Sequence, residues 1–179
     1  PGGCRPGQGY RVSMSASNGV VKMVVDGDTV LEKKTDLFGQ GEIGLYSDTT
    51  AQTIFDDVNV NPSGEVAQRP VDQIASGPAR FAKDDSMDEW SQPEGQWLPS
   101  LTASDTLWNR GTFFGDYAVD LKASNLTAPG AKIALLMGGD GTSSQSGYAF
   151  QVSAGTRAGT VTTELLRDGK SVLAPRPKL

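Results

Sequence analysis

Residues 9–62 read GYRVSMSASNGVVKMVVDGDTVLEKKTDLFGQGEIGLYSDTTAQTIFDDVNVNP. Apolar and polar residues alternate through short runs broken by Gly, Asn and Asp, which is the pattern of half-buried antiparallel strands and not of helices. Val12, Met14 and Ala16 share one face of a first strand, and Val21, Met23 and Val25 share one face of a second. Between them stands Asn18-Gly19, a pair suited to a tight hairpin because both central residues of such a turn take positive φ. Asp26-Gly27-Asp28 turns the chain into a third strand from Thr29 to Lys34. Two more strands follow, Gly41 to Ser47 and Thr53 to Val60, the last carrying Ile54, Val58 and Val60.

Working outward, the motifs Tyr10-Arg11-Val12, Val25-Asp26-Gly27, Gly41-Glu42-Ile43-Gly44-Leu45 and Phe55-Asp56-Asp57-Val58-Asn59-Val60 stand in that order. Together they resemble the second half of a concanavalin-like or laminin-G-like jelly-roll domain of the 3-keto-disaccharide hydrolase type, found in secreted bacterial proteins. The resemblance implies an all-β fold, an antiparallel two-sheet jelly-roll sandwich, and a secreted or cell-surface location.

The segment from residue 80 to 179 resembles the first half of the same kind of domain. Phe81 to Trp90 reads as its opening, with Gly95-Gln96-Trp97 next and Met87 where Phe is commoner. Tyr117, Val119 and Leu121 alternate as a strand does, Lys132 to Met137 is a nearly continuous apolar run suited to a strand covered on both faces, and Asp168-Gly169 is a further turn. Residues 63–79, rich in Pro, Gly and Ser, read as a linker. The halves thus stand in circularly permuted order, with residues 1–62 the second half and residues 80–179 the first. Neither half closes a core or pairs its strand edges alone. They are expected to form one composite sandwich, within one chain or between neighbouring chains, with Thr53–Val60 beside the segment around Phe81–Met87. Exchange between chains would propagate a filament, so other copies of the chain or neighbouring repeats are expected partners.

The chain has 179 residues, enough for one domain with a real core. A net charge of -5 without a basic run argues against nucleic acid or an anionic membrane as partner. No apolar run is long enough to span a bilayer. The chain opens on Pro1, and the expectation is a product cut from something longer, so the missing leader says nothing of compartment. Cys4 is the only cysteine, which excludes an intramolecular disulfide. With no His in the chain, Ser-His-Asp catalysis and the commonest zinc sites are excluded together.

Asp84, Asp85, Asp88 and Glu89 could serve as an acid/base pair or simply be a solvated charge run. Related sandwiches hold a structural calcium near their first and last strands, and the resemblance places carboxylates of Asp57 and Asp85 there; no cofactor is required. Trp108, Arg110 and Tyr148 are the candidate carbohydrate-binding residues, since aromatic faces beside an Arg stack sugar rings, whereas aromatics alternating along strands also fill cores. Three functions are open: a non-catalytic extracellular structural or adhesive module, a carbohydrate-binding module for polysaccharide, and a 3-keto-glycoside hydrolase-type enzyme.

Overall fold

The computed structural model describes residues 9–35, 40–48, 53–68, 90–91, 98–99, 105–109, 111–126, 128–141, 143–155 and 161–178. Before residue 69 it contains β1 (Gly9–Ser17), β2 (Val20–Val25), β3 (Asp28–Lys34), β4 (Gln40–Ser47), β5 (Ile54–Pro62) and β6 (Val66–Gln68). The short β7 (Trp90–Ser91) and β8 (Leu98–Pro99) pair with each other, and β9 (Asp105–Trp108), β10 (Gly111–Phe114) and β11 (Tyr117–Ser124) follow. The chain closes with β12 (Lys132–Gly139), β13 (Tyr148–Ala154), β14 (Val161–Arg167) and β15 (Lys170–Lys178). The described residues form no helix, and none therefore long and apolar enough to cross a membrane.

The fold is an all-β antiparallel sandwich. The smaller sheet runs β3-β2-β1-β11-β5, and the larger runs β15-β14-β13-β12-β4-β10-β6, with β9 also on β4. Strands from either side of residue 63 alternate within both sheets: β11 lies between β1 and β5, and β4 lies between β12 and β10.

Local turn chemistry sets the hairpins. Asn18 and Gly19 have φ of 50° and 70°, Asp26 and Gly27 51° and 86°, and Asp168 and Gly169 47° and 72°. Positive φ at both positions gives a turn whose twist matches that of the strands it joins. The carboxylate of Asp116 secures the first of these turns, accepting hydrogen bonds from Ser17 Oγ at 2.8 Å and from the Asn18 amide at 3.2 Å.

Strand register then lines up the core. Across β2, β1 and β11 the inward rows are Val25–Val12–Leu121, Met23–Met14–Val119 and Val21–Ala16–Tyr117. They meet Ile43 and Leu45 of β4, Ile133, Leu135 and Met137 of β12, Phe150 of β13 and Leu165 of β14 from the larger sheet. Burying a Met or Leu side chain this completely contributes about 1.5–3 kcal/mol, and the dry interface between the sheets is what the alternating pattern encodes. Lys33 Nζ donates to the Val172 carbonyl at 3.3 Å, and Thr35 shares a hydrogen bond with Tyr148, so one flank of the sandwich is stitched between sheets.

The linker expectation requires a correction. Residues 63–68 belong to the sandwich: Ser63 donates through its amide and its hydroxyl to the Asp116 carbonyl, at 2.9 Å and 2.7 Å. β6 then pairs with β10, Val66 opposite Phe113, and Val66 packs against the core. The Pro, Gly and Ser content marked a connection, but one apolar side chain and a free sheet edge were enough to recruit its end. Residues 69–79 and the segment Phe81–Met87 lie outside the described residues; the described neighbour of β5 is β11.

Of the outermost strands in the two larger sheets, β3, β5 and β15 carry features that hinder pairing with another sheet. β3 bears Glu32, Lys33 and Lys34, β5 is bulged and ends at Pro62, and β15 contains Pro175 and Pro177.

Candidate functional site

The two candidate aromatics point to opposite sides of the larger sheet. Trp108 is 3% exposed and packs with Ala134, Leu136 and Ala149 on the face turned away from the main core, with Tyr46 and Leu166 alongside. It lies against two glycines: a Cβ on Gly139 would come within 2.5 Å of the indole, and one on Gly44 within 2.9 Å. Tyr148, one residue before Ala149, faces the main core. Its hydroxyl is 2.7 Å from Thr35 Oγ1, and the Arg167 guanidinium lies 5.8 Å from the ring centroid. The two rings therefore form no common platform. Arg110, Asp85, the acidic run from Asp84 to Glu89 and Trp97 lie outside the described residues. Tyr117 is also core, tilted against Phe113 at 5.4 Å between centroids. Burial pushes its phenol pKa up, against a smaller opposing effect of a hydrogen bond with the Gly138 backbone.

On the outer face of the larger sheet, beside the Trp108 cluster, a shallow cavity of about 200 Å³ is bordered by Tyr46, Leu136, Ala149, Leu166, Gln145 and Gln151. A larger one, about 430 Å³, lies on the outer face of the smaller sheet, bordered by Arg11, Asp57, Asn59, Asn61, Asp120 and Lys122, with Leu121 beneath. This polar trough is the better candidate site, because every side chain on its rim offers a hydrogen bond or a charge.

A β-bulge creates it. Asp120 stands opposite Asn59 and Lys122 opposite Asp56, so two residues of β5, Asp57 and Val58, face the single Leu121 of β11. Asp57 has φ of 50°, the left-handed conformation that such a bulge requires and that Asp tolerates. Simple alternation would group Ile54 with Val58 and Val60. The extra residue instead lets Phe55, 1% exposed, and then Val58 and Val60 reach the core from one strand. Asp57, Asn59 and Asn61 consequently all face outward.

Short hydrogen bonds hold these groups. The Asp57 amide donates to Asp56 Oδ1 at 2.8 Å, Asn59 Nδ2 to the Asp57 carbonyl at 3.0 Å, and Asn61 Nδ2 to Asp120 Oδ2 at 3.2 Å. Among the described residues the Asn59 and Asn61 amide oxygens and the Asp57 carboxylate have no hydrogen-bond or ion-pair partner, so the trough presents acceptors.

The calcium expectation joins Asp57 to Asp85, and Asp85 lies outside the described residues. Among the described residues no three of Cys, Asp and Glu converge. Asp56 is engaged by the Asp57 amide and lies 3.9 Å from Lys122 Nζ. Arg11 and Lys122 border the same space, where their positive charges oppose a cation.

Of the trough residues the sequence reading singled out Asp57 alone, and for a metal. The signal for its neighbours was the outward polar series Asp57, Asn59, Asn61 alternating with Val58 and Val60; the expectation of sugar contacts at Trp108, Arg110 and Tyr148, built on aromatic faces beside an Arg, passes over it. No known family model matches the chain, nor does any curated protein or solved structure.

Proposed function

We propose that this chain is a non-catalytic, extracellular β-sandwich module with a structural or adhesive role, which binds polysaccharide through the polar trough of its smaller sheet. The trough is the observation that carries the reading. It is wide, shallow and open, and it sets amide, carboxylate and cationic groups on three adjacent strands, β1, β11 and β5. Sugar hydroxyls both donate and accept, and side chains fixed on strands read them with little loss of rotamer freedom. The non-catalytic reading is supported by the absence of His, the commonest acid/base group and activator of nucleophiles. The extracellular location rests on the family resemblance.

A panel of immobilised glycans tests the proposal. The chain is expected to retain at least one polysaccharide class, and the Asn59→Ala/Asn61→Ala double variant to lose it while melting as the parent does. Binding untouched by that variant, or no binding to any glycan, overturns the reading. Turnover of a 3-keto-glucoside would overturn its non-catalytic part.

Self-assembly is a second reading, favoured by the interleaving of strands from either side of residue 63. Each sheet needs strands from both parts of the chain, so the pairs β1–β11 and β12–β4 could equally be made with a neighbour's strands. Growth of mass with concentration in light scattering, ending in filaments under the electron microscope, would support it, and a monodisperse monomer would reject it.

A further inference from the structure

We infer that the trough selects an acidic sugar: the carboxylate of a uronate residue seats between Arg11 and Lys122, while its hydroxyls meet Asp57, Asn59 and Asn61. This rests on the polysaccharide reading of the trough and adds the chemical class of the ligand.

The argument starts from register. Arg11 of β1 and Lys122 of β11 are directly opposed, as are Ser13 and Asp120 two residues further along β1 on the same face, so the two cations are nearest cross-strand neighbours. Like charges directly opposite on adjacent strands are destabilising. In a folded sheet that repulsion is relieved by counter-charge; Asp57 and Asp120 border the same space, but neither is ion-paired with Arg11 or Lys122, and Asp120 Oδ2 is engaged by Asn61 Nδ2. Among the described residues the Arg11 guanidinium makes no hydrogen bond or ion pair; the Arg11 backbone exchanges hydrogen bonds with Asp26, its amide donating to Oδ1 and its carbonyl accepting from the Asp26 amide, both at 2.9 Å. Lys122 has Asp56 as partner, at a long 3.9 Å, and that carboxylate already accepts from the Asp57 amide. One end of the trough is thus a pair of cations with donors to spare.

The remainder of the trough has the opposite character. Among the described residues the Asp57 carboxylate and the Asn59 and Asn61 amide oxygens have no partner. Asp57 and Arg11 border the same space without pairing. A ligand that matches both ends needs an anion at one side and hydroxyl donors a few ångströms away. A neutral sugar leaves the cations unmatched, and a sulfate or phosphate diester without hydroxyls leaves the acceptors unmatched. A hydroxylated ring bearing a carboxylate satisfies both. The guanidinium fork supplies a bidentate, charge-assisted contact to that carboxylate, the strongest single interaction available here. Because the whole chain carries -5, long-range attraction does not assist a polyanion. The selection is made by contact.

Isothermal titration calorimetry on the full chain tests this, with tetragalacturonate as probe and maltotetraose as its neutral counterpart. Tetragalacturonate is expected to bind at least about tenfold more tightly, a difference of about 1.4 kcal/mol. Arg11→Ala is expected to remove that preference, and Arg11→Lys to keep only part of it, since the charge remains and the fork is lost. Thermal melting of Arg11→Ala is expected to match or slightly exceed the parent, because the opposed pair is gone. A variant that fails to fold is replaced by Lys122→Gln, for which the same loss of preference is expected. Equal binding of the two tetrasaccharides overturns the inference while leaving the polysaccharide reading intact. A uronate preference that survives Arg11→Ala overturns the assignment to this trough. Binding of neither probe overturns the inference, and the glycan panel then decides the broader reading.

Discussion

Replacing Trp108 by alanine removes an indole that is 3% exposed and has two backbones close beneath it, at Gly44 and Gly139. A buried Trp covers about 150–250 Å², worth roughly 4–6 kcal/mol at about 25 cal/mol per Å². The neighbours Ala134 and Ala149 are too small to swing into the gap, and the glycines have no side chain with which to fill it. The loss is therefore expected near the range seen when large aromatics are truncated in cores, about 3–5 kcal/mol. For a chain of 150–250 residues that corresponds to a fall in Tm of roughly 6–20 °C. Urea unfolding followed by circular dichroism measures the free energy, and a thermal scan the midpoint. The glycan panel, run below the midpoint, is expected to show unchanged retention, since the trough lies on the other sheet. A loss under about 1 kcal/mol, or lost glycan binding with unchanged stability, would refute the placement of Trp108 as a packing residue and restore it as a ligand platform.

A Cβ on Gly64 would clash with the Phe114 carbonyl oxygen, so Gly64→Ala is expected to detach the 63–68 segment and to raise hydrogen exchange at the Phe114 amide, which donates to the Glu65 carbonyl. Asp116→Ala removes the acceptor for Ser17 Oγ and the Asn18 amide, and is expected to cost about 1 kcal/mol in urea unfolding. Calcium and a chelator are each expected to leave the melting temperature unchanged; a calcium-dependent rise abolished by Asp57→Ala would contradict the charge argument at the trough. Burial raises the Tyr117 pKa above its ordinary value of 10.0. Above about pH 10 the unfolded state therefore releases this proton while the folded state keeps it, so stability falls with rising pH, and Tyr117→Phe is expected to flatten that fall in alkaline melts.

The all-β class and the hairpins are legible in the sequence, because both are local. Asn18-Gly19 and Asp168-Gly169 accept positive φ whatever surrounds them, and the spacing of Val12, Met14 and Ala16 puts them on one face of any strand. Alternation could not say which strand lies beside which. That β11 enters between β1 and β5, and β4 between β12 and β10, was decided by burial across the whole sandwich. The trough followed from the same decision: Arg11 and Lys122 became neighbours only through the β1–β11 register, and Asp57 turned outward because Phe55 and Val58 both had to reach the core. The surroundings of Trp108 were set in the same way. The larger sheet carries apolar residues on both faces near β4, β9 and β12, so an aromatic on its outer side is packed and not presented. A side chain's face is set by the period of its own strand, whereas its neighbours are set by pairings between distant segments, which form only where the hydrophobic core as a whole closes.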